Sequence, residues 1–276
     1  MPSYASLPPS QIVPSLADQG IYLASESSFY RVLREAGQLK NRGKANPRTV
    51  EKPKPYVATG PNQVWTWDIT YLPTAIKGSF YYLYMIMDIY SRKIVGWEIH
   101  ENQTDELASD LAKRAYISEG IAGKDLVLHS DNGSPMKGAT MLATLQKLGV
   151  ATSFSRPSVS NDNPYSEALF KTLKYKPGYP VKPFESLEAS RGWVLKFVRW
   201  YNESHKHSNL KFVSPALRHE GKDTEILKRR KEVYEEARKK NPIRWSGKTR
   251  NWDAPEEVYL NPGRKTEQVT SIKKAA

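Results

Sequence analysis

Residues 160–174 read SNDNPYSEALFKTLK, and the rest of the chain is best interpreted from this stretch outward. Asn163 is a suitable N-cap and Pro164 a suitable first residue, so the pattern predicts a helix that begins here. At 100° per residue, one face of this helix carries a carboxylate and two ammonium groups, from Glu167, Lys171 and Lys174. Such a face is either a solvated surface with a Glu–Lys pair or part of a site for a charged ligand.

Two aspartates upstream favour the second interpretation. Asp68 lies within the alternating segment 64–72, which predicts a strand, although aspartate is disfavoured in strands. Asp131 lies in the turn HSDNG after a short apolar segment, a position where ligands gather in sheets with crossover helices. Each acid alone is better explained as a surface or capping residue. Together with Glu167 they predict three carboxylates that converge from three elements.

Converging carboxylates repel one another and raise each other's pKa values unless cations lie between them. Carboxylate oxygens suit Mg²⁺ or Mn²⁺ rather than zinc, and two such ions activate both the attacking and the leaving oxygen of a phosphodiester. We therefore expect Asp68, Asp131 and Glu167 to be catalytic residues and ligands of two ions. A phosphate near Glu167 would also lie near Lys171 and Lys174, which we assign to binding of a nucleic-acid backbone.

The surrounding segments predict an α/β fold. Three strands joined by short turns occupy residues 64–100, and helices then alternate with two short strands as far as residue 174. The order βββαβαβα predicts a ribonuclease-H-like mixed sheet of three antiparallel strands and two short strands, with helices on both faces. An aromatic helix over 186–202 and a charged helix over 224–240 follow. The tail beyond residue 241 predicts a small β-rich appendage or a clamp over the core.

The net charge of +13 is concentrated at the two ends of the chain, with +4 in residues 1–59, +3 in 60–220 and +6 in 221–276. We assign these ranges to a helix-turn-helix-like segment with a basic linker, a catalytic core, and a basic C-terminal helix and tail. Arg31 and Arg34 on the second N-terminal helix are candidate DNA-binding residues. Nucleic acid is the usual partner of such a distribution, although a merely soluble basic protein would share it.

Several classes of protein are disfavoured by composition. No apolar segment approaches the roughly 20 residues that cross a bilayer, and the N-terminus lacks the pattern of a signal peptide. Cysteine is absent, which excludes disulfides and cysteine-based zinc sites and fits a reducing compartment. His205 and His207 lack neighbouring metal ligands, so we expect loop contacts for them instead.

These motifs together resemble the DDE motif of the retroviral integrase superfamily. Asp68, Asp131 and Glu167 occur in the order of that motif, and the last two are separated by 35 residues, the superfamily's characteristic gap. Lys171 and Lys174 match the basic positions that follow the glutamate there. The chain is most similar to the insertion-sequence-three family of bacterial transposases, in its second-reading-frame product, through residues 12–20, 163–175, 200–202, 244–247 and 260–262.

The resemblance implies a catalytic core that depends on Mg²⁺ and that cuts and joins DNA at the ends of an insertion sequence. It implies that water, and then a DNA 3′-hydroxyl, attacks the phosphodiester in line, with no covalent protein intermediate. Element ends and target DNA are the implied partners, with a homo-oligomer assembled on DNA, no membrane association and a cytoplasmic, nucleoid-associated location.

Two further interpretations stay open from sequence alone. Family members usually carry more helix-turn-helix sequence upstream, so the chain also fits a truncated, non-catalytic DNA binder that regulates transposition. Another ribonuclease-H-like nuclease would use the same fold, because fold does not determine the substrate. The complete triad and its spacing favour the enzyme, the short N-terminal segment favours the regulator, and the basic ends disfavour a different nuclease.

Overall fold

The computed structural model describes residues 7–38, 55–156, 162–176 and 178–261 of the chain. Contacts divide the protein into two units, residues 1–51 and residues 52–276. The basic linker predicted for residues 40–60 lies largely outside the described residues. The domain bounds predicted at residues 59 and 220 stay a prediction.

The N-terminal unit contains helix α1 (Pro9–Ala17) and helix α2 (Glu26–Glu35). Ser25 caps α2, since its hydroxyl accepts a hydrogen bond from the backbone N–H of Ser28. The apolar side of α2 is only partly covered, because Val32 is 58% exposed. In a pair of short helices, only the side that faces the partner is covered. Arg31 and Arg34 are exposed on α2.

A five-stranded sheet lies at the centre of the second unit. The strands of this unit are β1 (Tyr56–Ala58), β2 (Val64–Pro73), β3 (Phe80–Asp88), β4 (Ile94–His100), β5 (Leu126–Ser130), β6 (Val150–Phe154) and β7 (Val258–Leu260). The central sheet has the order β4-β3-β2-β5-β6. Strands β2, β3 and β4 pair antiparallel, whereas β5 pairs parallel with β2 and with β6. The predicted mixed sheet is confirmed.

The helices of the second unit are α3 (Asp105–Ser118), α4 (Ser134–Lys137), α5 (Ala139–Lys147), α6 (Pro164–Tyr175), α7 (Leu187–Arg199), α8 (Pro215–His219) and α9 (Asp223–Lys240). After α7 the chain forms a π-turn over Trp200–Ser204, so the helix predicted to residue 202 changes its hydrogen bonding three residues earlier. His205 packs its ring on Tyr201, at 5.4 Å between centroids, which is a loop contact of the kind expected. Within the described ranges, no helix is both long enough and apolar enough to cross a membrane.

The alternation of β2 supplies side chains to two hydrophobic clusters. Trp65 and Trp67 pack into the cluster under α3 and α5, and Leu72 packs into the cluster under α6 and α7. Each fully buried large apolar side chain contributes about 1.5–3 kcal/mol to stability. Helices therefore cover both faces of the sheet, as predicted. The even-numbered side chains of β2, which include Asp68, lie on the face that α6 covers.

A two-stranded ribbon joins distant parts of the second unit. β1 pairs antiparallel with β7, with Tyr56 opposite Leu260. The buried side chains of Ala58 and Leu260 pack in one cluster with Val127 of the central sheet. The described part of the tail therefore forms a short strand that packs on the core beside β5, which is compatible with the predicted clamp.

Candidate active site

Asp68 lies near the middle of β2, on the face that α6 covers. Thr66, two residues earlier on the same face, contacts Asn163 and Ser166 through its hydroxyl. The parallel register places Trp67 opposite Ser130, the last residue of β5. Asp131 follows directly, so the pairing of β2 with β5 brings the two aspartates to the same level of the sheet.

The pKa of Asp68 shows that the predicted carboxylates share one electrostatic environment. It is raised from the ordinary value of 3.8 to about 7, chiefly by burial and then by repulsion from Asp131. Glu167 on α6 adds further repulsion, while the N–H of Ile69 and the charge of Lys174 act in the opposite direction. Mutual repulsion of this kind requires short separations between the charges. The charges of Asp131, in a turn, and of Glu167, on a helix, therefore both act on Asp68 in its strand.

The carboxylate of Asp131 is held by the loop that follows β6. Ser155 Oγ donates a hydrogen bond to Asp131 Oδ1 at 3.0 Å, and Ser155 N donates to Ser130 O at 2.9 Å. The side-chain amide of Asn132 donates to the carbonyl of Ser155. Sequence reasoning did not identify Ser155. The available signal was its position just after a strand that runs beside the strand of Asp131.

His129 joins three segments beneath the carboxylates. Its Nε2 lies 2.9 Å from the carbonyl of Asp162, which can only accept, so Nε2 carries the proton. Its Nδ1 lies 3.0 Å from Ser153 Oγ and accepts from that hydroxyl. Burial lowers the pKa of His129, which keeps the imidazole neutral. We infer a supporting role for this residue, which no feature of the sequence distinguishes from the rest of its turn.

Arg156 and Asp162 form an ion pair beside this network. Arg156 Nε and Nη2 donate to the two carboxylate oxygens of Asp162 at 2.9 and 3.0 Å, a bidentate geometry. The hydrogen bond from Arg156 is the main cause of the lowered pKa of the buried Asp162. The pair links the end of the β6 loop to the start of α6. Residues 157–161 between them lie outside the described residues.

Asn163 precedes α6, as predicted, but the capping role predicted for its side chain is wrong. The residue is only 1% exposed, and its amide nitrogen donates to the carbonyl of Trp67 at 3.3 Å. Its amide oxygen accepts a hydrogen bond from the hydroxyl of Thr66. Buried polar groups must find partners, and here the partners are on β2 rather than on the helix. Asn163 therefore fastens the start of α6 to the strand that carries Asp68.

The two lysines of α6 differ in their relation to the carboxylates. Lys171 and Lys174 are both exposed, and neither forms an ion pair with Glu167 in the described part of the chain. Lys174 is close enough to Asp68 to lower its pKa, whereas Lys171 is not among the groups that shift it. The solvated Glu–Lys pair considered from sequence is thus not formed. Arg31 and Arg34 belong to the N-terminal unit, and their assigned role stays a prediction.

The donors of the site suit a hard divalent cation, because they are carboxylate oxygens and the neighbouring histidine is occupied by other partners. Within the ranges described, no three Asp, Glu or His side chains are gathered tightly enough to enclose an ion. Like charges keep such groups apart, so a cation would have to draw the three acids closer together.

Known proteins resemble the part of the chain that contains the candidate site. Two family models of the integrase core domain match residues 58–160 and 148–215. The transposase of insertion sequence element IS904 from Lactococcus lactis is 34% identical over 161 residues, 58% of this chain and 62% of that protein. Transposase InsF of insertion sequence IS3A from Escherichia coli is 30% identical over 161 residues, 58% of this chain and 54% of that protein.

The matched part of the chain thus spans about half to two thirds of the length of these relatives, 54% in one and 62% in the other. A solved structure, the catalytic core domain of the integrase of HTLV-2 in complex with magnesium, has 18% identity and a TM-score of 0.41. That likeness covers 58% of this chain and 96% of the viral domain. The resemblance seen in the sequence motifs is confirmed by the family models and the two bacterial relatives.

Proposed function

We propose that this chain, which is similar to transposases of bacterial insertion sequences, cuts DNA at the ends of such an element and joins those ends to target DNA. The observation that supports the proposal is the raised pKa of buried Asp68, about 7, to which the charges of Asp131 and Glu167 contribute. Both steps are attacks of an oxygen nucleophile on a phosphodiester, so one site serves for cutting and for joining.

The three acids are the proposed catalytic residues, and together they would hold two Mg²⁺ or Mn²⁺ ions. When bound, the ions would activate the attacking and the leaving oxygen of the phosphodiester. Asp68 is oriented by the N–H of Ile69, which donates to Oδ1 at 2.7 Å, and Asp131 is oriented by Ser155. Hydrogen bonds of this kind fix where the ligand oxygens point.

The basic residues position the DNA. Lys171 and Lys174 extend from the helix of Glu167 and hold backbone phosphates as point charges. Water attacks first and a DNA 3′-hydroxyl attacks second, in line with the leaving oxygen. No side chain becomes covalently attached to DNA in this scheme, so the protein's task is to hold the two strands and the acids in place.

The partners of the proposed reaction are the element ends and the target DNA. Joining two ends to one target requires two active sites, so the chain acts as a homo-oligomer assembled on DNA. Arg31 and Arg34 contact DNA from the N-terminal unit. The net charge of +13 favours this association at low salt.

Incubation with an end-labelled duplex that carries the element's terminal sequence, in Mn²⁺, tests the proposal. We expect a nicked strand at the element end and a slower product joined to a second duplex. Asp131→Asn is the matched control and should give neither product. Tight binding without nicking by the unmodified protein would assign it instead to regulation, and nicking of RNA–DNA hybrids without joining would assign it to another nuclease class.

A further inference from the structure

A cavity of about 420 Å³ lies in the second unit, on the flank of α6. We call it the Arg92 pocket; its walls include the β3–β4 turn, the start of α6, the segment 208–211 and β7, with side chains that include Arg92, Tyr165, Lys211, Glu257 and Tyr259. The volume falls in the range of about 300–1,000 Å³ that is usual for ligand pockets. The pocket contains none of the three carboxylates of the candidate active site.

The guanidinium of Arg92 is the main charge on this wall. It lies over the ring of Tyr165, 4.0 Å from the centroid, and its Nε is buried without a hydrogen-bond partner. In the described part of the chain it forms no ion pair with a carboxylate. Burial lowers the pKa of Arg92, which reflects its withdrawal from water. A cation in this condition is stabilised by a bound anion, because the anion replaces the hydration that burial removed.

Neighbouring groups add to the positive character of the pocket. Lys211 also lines it and has no carboxylate partner among the described residues. His207 nearby has a buried Nδ1 without a partner, and its pKa is lowered to about 4 by burial and by the charge of Arg92, so it is neutral and adds no charge. The acid on the wall, Glu257, accepts a hydrogen bond from the hydroxyl of Tyr259. Two cations and one carboxylate, which already has a donor, therefore line the pocket, while the buried carboxylate of Asp88 also acts on Arg92.

Backbone conformation gives independent support. Arg92 has φ of 65° and Lys211 has φ of 52°, both in the left-handed region that favours glycine. Residues other than glycine in this region are strained and gather at ligand sites, where the side chain is needed. Arg92 and Lys211 thus occupy positions whose backbone conformation glycine adopts with less strain.

The position of the pocket relates it to DNA. Tyr165 lies two residues before Glu167 on α6, so the pocket and the candidate active site lie on different sides of the same first helical turn. We infer that the Arg92 pocket binds a backbone phosphate of the DNA through Arg92 and Lys211. The inference rests on the proposed function, because it takes DNA as the ligand. Free phosphate offers the same chemistry and is the alternative source.

The salt dependence of DNA binding tests the inference. Binding of a labelled duplex is measured by fluorescence anisotropy at several salt concentrations without divalent ions. Lys211→Asn keeps a residue that tolerates the left-handed region and should lower the slope of log K against log salt by about 1, and Arg92→Gln should do the same. Lys113→Gln is the matched control, because Lys113 is exposed on α3 at the opposite face of the sheet, and its slope should equal that of the unmodified protein.

Titration calorimetry with inorganic phosphate separates the two sources. Phosphate binding that Arg92→Gln abolishes, together with unchanged slopes for DNA, would make this a small-anion site and would overturn the inference. Parallel salt lines for all variants would overturn it as well. If Arg92→Gln does not fold, as judged by circular dichroism, Lys211→Asn decides. The nicking assay tests the proposed function separately. If the unmodified protein nicks DNA but the variants have the same salt slope as the unmodified protein, only the inference about the Arg92 pocket is contradicted.

Discussion

The hydroxyl of Ser155 donates a hydrogen bond to Oδ1 of Asp131 across 3.0 Å. The two residues follow the parallel strands β6 and β5, so the bond ties together the carboxyl ends of neighbouring strands. It leaves Oδ2 of Asp131 available and sets the direction in which that oxygen points.

Ser155→Ala should weaken use of the divalent ion and slow nicking by about 10- to 100-fold, as is usual when a partner of a metal-ligating side chain is removed. A Mn²⁺ titration of the nicking rate measures both effects. Ser155→Thr keeps the hydroxyl and should restore most of the activity, and Ser118→Ala, at an exposed serine of α3, should change nothing. A metal dependence for Ser155→Ala equal to that of the unmodified protein would show that the bond has no role in the site.

Asp131→Asn should abolish nicking and joining while DNA binding stays within about twofold. The amide has the shape of the carboxylate but is a much weaker ligand for a hard cation. Gel electrophoresis of labelled products and anisotropy in the absence of metal give the two readouts. Full nicking by this variant would remove Asp131 from the catalytic set.

The raised pKa of Asp68 predicts how stability depends on pH. Between pH 3.8 and about 7, the folded protein keeps a proton that the unfolded chain has lost, so metal-free stability falls as pH rises through this interval. Asp68→Asn removes the effect and should raise Tm more at pH 8 than at pH 5. One kcal/mol corresponds to about 2–4 °C for a unit of this size, so scanning fluorimetry in chelator resolves the difference. An equal shift at both pH values would contradict the assigned pKa.

Lys171 and Lys174 should be separable by their effects on Asp68. Lys174→Gln removes a charge that lowers the pKa of Asp68, so the pH at which nicking becomes half-maximal should move upward. Lys171→Gln should leave that pH unchanged and weaken DNA binding alone. The double alanine variant should lower the salt slope by about 2 with little change in stability. Identical salt titrations for the double variant and the unmodified protein would show that this face of α6 is only solvated.

The N-terminal unit should contribute to DNA affinity rather than to the stability of the core. Deletion of residues 1–51 keeps β1 and should weaken duplex binding with little change in the melting temperature of the second unit. Arg31→Gln with Arg34→Gln, in the full chain, should reproduce part of the loss, since both residues are exposed. A collapsed melting temperature on deletion would identify the segment as structural instead.

Local pattern was sufficient to predict the central sheet and most of its helices. The antiparallel strands are joined by short turns, so their pairing follows from neighbouring residues, and the crossover helices imply parallel pairing for β5. The three acids became candidates only in combination, because each one alone also fits a surface or capping role. Asp68 interrupts an otherwise suitable strand, and Asp131 follows the end of another.

The contacts that hold the candidate site in place could not be predicted from the sequence, and the reason is physical. Ser155 meets Asp131 through the register of two parallel strands, and neither strand carries a local signal of that register. Asn163 has the local signature of a cap, but tertiary partners on β2 outcompete the helix for its side chain. The pairing of β1 with β7 joins segments about 200 residues apart, which no periodicity encodes.

That pairing has a consequence for synthesis. At about 5–20 residues per second, β1 leaves the ribosome some 10–40 s before its partner strand has been made. Until then Ala58 and Val127 lack the cover that Leu260 supplies. In the nascent chain, the cluster that contains these residues therefore stays incompletely packed until translation has passed residue 260.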